Sequence, residues 1–189
     1  METTLSIFEK QITQRLKGIH YHDTIYVNKM LAQILDTYDI PEDAKLACLT
    51  IDTAMRHLDE VSKNLSSKKS ILIGDLLSAH FYTLLAKLND PIYQKEMSKA
   101  IVEINEMKSS IHNGAIPEKD IGHYILKIEN KFPFITINRY VSNSKIANID
   151  QKLLTNLLEN HPSYLKNYSK DELNTILEEV KSEIYSKKR

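Results

Sequence analysis

A single cysteine, Cys48, excludes an internal disulfide and suits a reducing compartment. Only four glycines and five prolines are present, too few for an all-β chain built on many tight turns. Charge of neither sign is in excess: 25 Lys and Arg face 25 Asp and Glu. That balance gives no electrostatic reason to expect nucleic acid or an anionic membrane as a partner. A long uncharged apolar run is missing as well. The most apolar stretch, Ile71 to Leu88, carries Asp75, His80 and Lys87, which makes it a poor transmembrane segment. Met1 is followed by Glu2 and a polar periodic segment, without the basic and apolar regions of a secretory signal. These absences predict a soluble cytoplasmic protein. At 189 residues the default is one domain, here residues 1–189, with length enough for a sizeable core.

What is present is leucine, isoleucine, lysine, glutamate and alanine at helical spacing. Leu5, Phe8, Ile12 and Leu16 mark a first amphipathic helix, stopped at Gly18. Asp23 is placed to cap a second, carried by Ile25, Met30, Leu31, Ile34, Leu35 and Tyr38. Pro41 at the first helical position, followed by Glu42 and Asp43, opens a third that runs to Val61. A polar break at Ser66-Ser67-Lys68-Lys69 precedes a fourth over Ser70–Leu88. Asn89-Asp90-Pro91 ends that helix and starts the fifth, which Asn113-Gly114 closes. Pro117 opens a sixth through Ile128. The next stretch, Phe132 to Ile146, is rich in β-branched and aromatic residues, and its local propensity is for strand. A lone strand in a helical chain has nothing to pair with, so helix is expected there. Ile149, Leu153, Leu154, Leu157 and Leu158 make another helix, ended at His161-Pro162. Ser169 and Glu172 form a capping box for the last. The expected fold class is all-α: a helical bundle of about eight or nine helices.

Sites for chemistry are scarce. His20-Tyr21-His22-Asp23 has metal-ligand residue types but no third cluster to complete a site, and reads as a helix-entry turn. Cys48 lies on an apolar helix face and reads as core. Glycine-rich phosphate loops are absent. An all-α enzyme acting on diphosphates needs carboxylates one turn apart on a helix face to hold Mg²⁺. Asp59-Glu60 comes nearest, but the residue four positions after Asp59 is Lys63; Asp52 is two turns away. Glu103 and Glu106 read as a solvated face, and Glu178-Glu179 with Lys181 as an exposed ladder.

The stretch "SILIGDLLSAHFYTLLAKLND", residues 70–90, is similar to the Gly-Asp-containing helix of the trans-prenyl diphosphate synthases. It most resembles the small, component 1 chains of bacterial two-component heptaprenyl and hexaprenyl diphosphate synthases. The preceding helix, "ACLTIDTAMRHLDEV", stands where a catalytic chain carries its first Asp-rich motif, and here holds Asp52, Asp59 and Glu60 without the Asp-Asp-x-x-Asp pattern. The arginine pair after that motif and the second Asp-rich motif are missing too. The resemblance covers about residues 44–92.

The resemblance implies a non-catalytic subunit of the isoprenoid synthase fold. It implies a large catalytic partner that binds Mg²⁺ and both diphosphate substrates, with no cofactor held by this chain. The product in such systems becomes the menaquinone side chain. Ile71, Leu72, Gly74, Asp75, Leu76, Phe81, Leu84 and Leu85 are the candidate interface, or the apolar wall for the prenyl chain of the product. The residues themselves leave open an all-α diphosphate enzyme with an unusual metal site, and a helical adaptor or ligand-binding domain with no link to prenyl chemistry.

Overall fold

A computed structural model describes residues 2–17, 25–59, 67–142 and 149–186. These residues form eight α-helices and one 3₁₀ turn, with no strand among them. The helices are α1 (Thr4–Arg15), α2 (Lys29–Asp36), α3 (Glu42–Asp59), α4 (Ser67–Leu88), α5 (Pro91–His112), α6 (Glu118–Tyr140), α7 (Ile149–Glu159) and α8 (Lys170–Ser186). The all-α expectation holds. The chain groups into two compact units, one of Met1–Lys95 with Phe132–Ser144, the other of Glu96–Lys131 with Lys145–Arg189.

In the first unit α1 begins at Thr3, whose hydroxyl accepts from the Ser6 amide at 3.2 Å. α2 is shorter than its apolar spacing suggests. Its cap is Asn28, which accepts from Leu31 N at 3.0 Å, while Ile25 and Tyr38 lie outside the helix. Asp23, Gly18 and the His20–Asp23 cluster fall outside the described residues, as do Val61 and the basic end at 187–189. Pro41 stands one residue before α3 and gives its carbonyl to Lys45 N at 3.1 Å. α3 and α4 then make the most extensive helix pairing described. Ala54 of α3 lies against Gly74 of α4, where small residues let the backbones approach, and Ala44, Leu46, Ala47, Leu49, Ile73, Leu77, Phe81, Leu84 and Leu85 are buried in the core of the unit.

α4 ends at Asn89, which takes the left-handed conformation (φ 50°). Asp90 then caps α5, accepting from Tyr93 N at 3.1 Å, with Pro91 as the first helical residue. By length and composition Ser70–Leu88 is apolar enough to cross a membrane, with a mean hydropathy of 1.4. Its charges do not outweigh its leucines. Its Ile73–Leu77–Phe81–Leu84 face nonetheless lies in the core of the unit, as in the central helix of a bundle.

In the second unit α5 closes on Gly114 (φ 64°), with Ala115 N bonded back to Ser110 O at 2.9 Å. Ile125, Leu153, Leu154, Leu157, Leu165, Leu173 and Leu177 make its core. The capping box of α8 is reciprocal: Ser169 N donates to Glu172 at 2.7 Å and Glu172 N to the Ser169 hydroxyl at 3.2 Å. The sixth helix and the strand-like stretch are one helix, α6, with Pro133 inside it. Residues 132–140 are helical as expected; 143–148 lie outside the described residues.

Candidate functional site

On α4, successive side chains advance by about 100° around the axis. Counting from Ile71, the positions of Tyr82, Asp75, Ala86, Ala79, Leu72, Thr83 and Leu76 then sweep one continuous arc of roughly 140°. All of these are exposed except Leu76, which is half-buried. Ile71, Leu72 and Tyr82 are the large apolar members, at 40%, 45% and 48% exposure. Asp75 stands in the same arc, exposed, and makes no hydrogen bond or ion pair with a described residue. The carboxylate in this greasy helix is therefore on the side facing away from the core.

The eight candidate residues divide between two faces. Phe81, Leu84 and Leu85 are buried inside the unit, at 1% exposure or less. Ile71, Leu72, Asp75 and Leu76 belong to the outward arc. Gly74 lies between, buried under α3: a Cβ there would stand 2.6 Å from the Leu58 side chain and 3.5 Å from the Ala54 carbonyl. Leu58, 36% exposed, continues the apolar surface from α3. Ser78 donates to the Gly74 carbonyl at 2.8 Å.

The carboxylates are engaged elsewhere. Asp52 holds Arg56 Nε at 3.0 Å, so the residue one turn beyond it is a cation and not a second carboxylate. Glu60 lies outside the described residues. Glu103 bridges Lys131 at 2.5 Å and Lys99 at 3.5 Å, and hydrogen bonding to Lys131 lowers its pKa. Glu103 is thus a structural ion pair within the second unit. Among the described residues no group of three or more His, Cys, Asp or Glu side chains converges as metal ligands do. A divalent cation finds at Asp52 a carboxylate already neutralised by a guanidinium, so Asp52 does not fit a ligand of a magnesium diphosphate.

Cys48 is inaccessible, and burial pushes its thiol up to about 12, far from the thiolate a nucleophile needs. A polar hub in the first unit went unforeseen. Asp90 receives Arg139 Nε at 2.7 Å, Arg139 Nη2 at 3.0 Å and the Tyr140 hydroxyl at 3.0 Å. The Arg139 bond, above all, holds its carboxyl down at about 2. Beside it Thr136 donates to the Phe132 carbonyl at 2.8 Å, leaving its oxygen to accept from the Tyr93 hydroxyl at 2.8 Å. These bonds join the start of α5 to the end of α6. Only the Asp-Pro pair, a helix-start signal, pointed to this place in the sequence.

A family model for the hexaprenyl diphosphate synthase small subunit matches residues 2–135. A crystal structure of heptaprenyl diphosphate synthase from Staphylococcus aureus contains a chain 48% identical to this one. The match covers 94% of this chain and 96% of that one, at a TM-score of 0.83.

Proposed function

Since the chain belongs to the family of hexaprenyl diphosphate synthase small subunits, we propose that it is the non-catalytic component of a two-component trans-polyprenyl diphosphate synthase. Its large partner binds Mg²⁺, the allylic diphosphate and isopentenyl diphosphate, and makes the bonds. The small chain completes the partner and sets the length of the product, a hexa- or heptaprenyl diphosphate destined for the menaquinone side chain in the cytoplasm. The observation that carries the reading is the pairing of near-full-length similarity with a spent carboxylate set. Asp52, on the helix that stands where a catalytic chain carries its first Asp-rich motif, is turned to Arg56.

The outward arc of α4 supports the choice of docking face. Ile71, Leu72, Leu76 and Tyr82 offer apolar surface over roughly 16 Å of helix, at about 1.5 Å per residue from Ile71 to Tyr82. Large aromatic and aliphatic side chains of this kind anchor interfaces. The same arc is the apolar wall available to a growing prenyl chain, because Phe81, Leu84 and Leu85 are used by the unit's own core.

The test is reconstitution with the large subunit. Alone, the chain is expected to form no longer diphosphate from farnesyl diphosphate, isopentenyl diphosphate and Mg²⁺; with the partner, long-chain product forms. Leu72→Asp and Tyr82→Asp should leave the circular dichroism spectrum unchanged and weaken association by about 2 kcal/mol or more each. Turnover by this chain alone, or unchanged association and product length in both variants, would refute the proposal.

A further inference from the structure

In the first unit residues of α1 and α4 line a cleft of about 340 Å³, and Gln11 and His80 meet across it. That is the small end of the range for ligand pockets. Polar and cationic side chains and their aliphatic stems line it. Arg15 of α1 is exposed, and no described residue hydrogen-bonds or ion-pairs with its guanidinium. Among the described residues Lys87 of α4 pairs only with Asp43, at 3.8 Å, with 62% of its side chain exposed. Gln11 and Gln14 supply amides between the cations, and Leu84 closes the inner side.

His80 lines the same cleft at 3% exposure. Its Nε2 lies 2.7 Å from Gln11 Oε1, so that nitrogen carries the proton, and Nδ1 has no hydrogen-bond partner among the described residues. Burial, then Arg15 and Lys87, lower its pKa to about 4 against the opposing pull of Asp43. The field on the imidazole is thus positive on balance. Both cations stand in the last turns of their helices, where they also offset the partial charge of free carbonyls. That role accounts for a lysine and an arginine. It does not account for a buried imidazole with an orphaned nitrogen held against a glutamine, since such a group is costly unless something completes it.

The geometry points to a site for a small phosphate-class oxyanion between Arg15 and Lys87, with the glutamine amides as further donors and His80 as the inner wall. Guanidinium and ammonium donors make charge-assisted bonds to phosphate oxygens, and the anion reverses the field on His80. The bound state therefore raises the pKa of His80 from its lowered value. With one leucine as its only large apolar wall, the cleft suits the anionic group and not a long apolar tail.

The experiment titrates the full chain with inorganic phosphate and with pyrophosphate, by calorimetry and by NMR of the histidine rings. A third arm measures sedimentation with phosphatidylcholine vesicles containing phosphatidic acid. Saturable binding is expected, weakened roughly tenfold by Arg15→Gln or Lys87→Gln. Both variants are at exposed positions and should keep the parent spectrum. The His80 resonance should titrate at higher pH when the anion is bound. Binding confined to the vesicle arm with the same variant dependence would make a lipid headgroup the source of the phosphate. No saturable binding in any arm, or binding indifferent to both variants, overturns the site.

Discussion

Two buried glycines in helix interiors answer differently to the same substitution. Gly74→Ala adds a methyl 2.6 Å from Leu58 Cγ and Cδ2, but Leu58 is 36% exposed and has room to rotate outward. An off-rotamer side chain costs about 0.5–1.5 kcal/mol, while alanine gains about 1 kcal/mol of helix propensity over glycine. The two offset, and stability should change by less than about 1 kcal/mol. Gly122→Ala, in α6, is another matter. The methyl would stand 2.4 Å from Val180 Cγ2, 3.0 Å from Ile176 Cγ2 and 3.2 Å from the Ile176 carbonyl. Val180 is 4% exposed and β-branched, so it has neither space nor a second rotamer. The carbonyl cannot move without α8. Overpacking costs about 1–3 kcal/mol, and set against the propensity gain of about 1 kcal/mol it leaves a net loss of up to about 2 kcal/mol. For a chain of this size that is a fall in Tm of up to roughly 8 °C. Urea and thermal denaturation followed by far-ultraviolet circular dichroism measure both. Equal damage from the two changes, or stabilisation by Gly122→Ala, would refute the reasoning. Gly74→Leu extends the test to function: it pushes Leu58 aside and alters the surface beside the α4 arc, so its effect should fall on partner association or product length.

His80 makes the fold acid-sensitive. Its folded pKa of about 4 lies below the ordinary 6.5, so the unfolded chain binds a proton across that window and the folded chain does not. Stability is present above 6.5 and lost as pH falls toward 4, by about 1–2 kcal/mol after allowing for solvent screening. In His80→Gln that part of the slope should vanish; a slope identical to the parent's would exclude His80 as its source. Asp90→Ala removes a helix cap and a two-pronged arginine bond together, and should cost about 2–3 kcal/mol. Arg139→Ala on top of it should then cost little more, and full additivity of the two in denaturant titrations would show that they do not act as a pair.

Most helices could be read from the sequence because their apolar residues recur every three or four positions and their caps are chemically marked, as at Ser169-Glu172 and Asp90-Pro91. The strand-like run at 132–140 shows where propensity yields. Phe132, Thr136 and Ile137, at helical spacing, all turn to the interior, and that burial decides the conformation over β-branching. Pro133 within α6 could not be anticipated from local rules, which end a helix before proline. The division of α4 into two faces was hidden for a different reason. Both arcs are apolar, so periodicity alone cannot say which one faces the alanines of α3. The partners of His80 and Asp90 were hidden by distance along the chain: Gln11 is 69 residues from His80, and Arg139 is 49 from Asp90.

The Asp90–Arg139 clasp sets an order on how the chain is made. The first unit owns residues on both sides of an excursion and is not finished until 132–144 have been added. A ribosome that has delivered everything through Lys95 has released a body whose Tyr93 hydroxyl lacks Thr136 and whose Asp90 lacks its arginine. Those groups must wait in water while the whole of 96–131 is translated. The latch therefore closes late, and the first unit's final stability belongs only to a polypeptide that has grown well past the excursion.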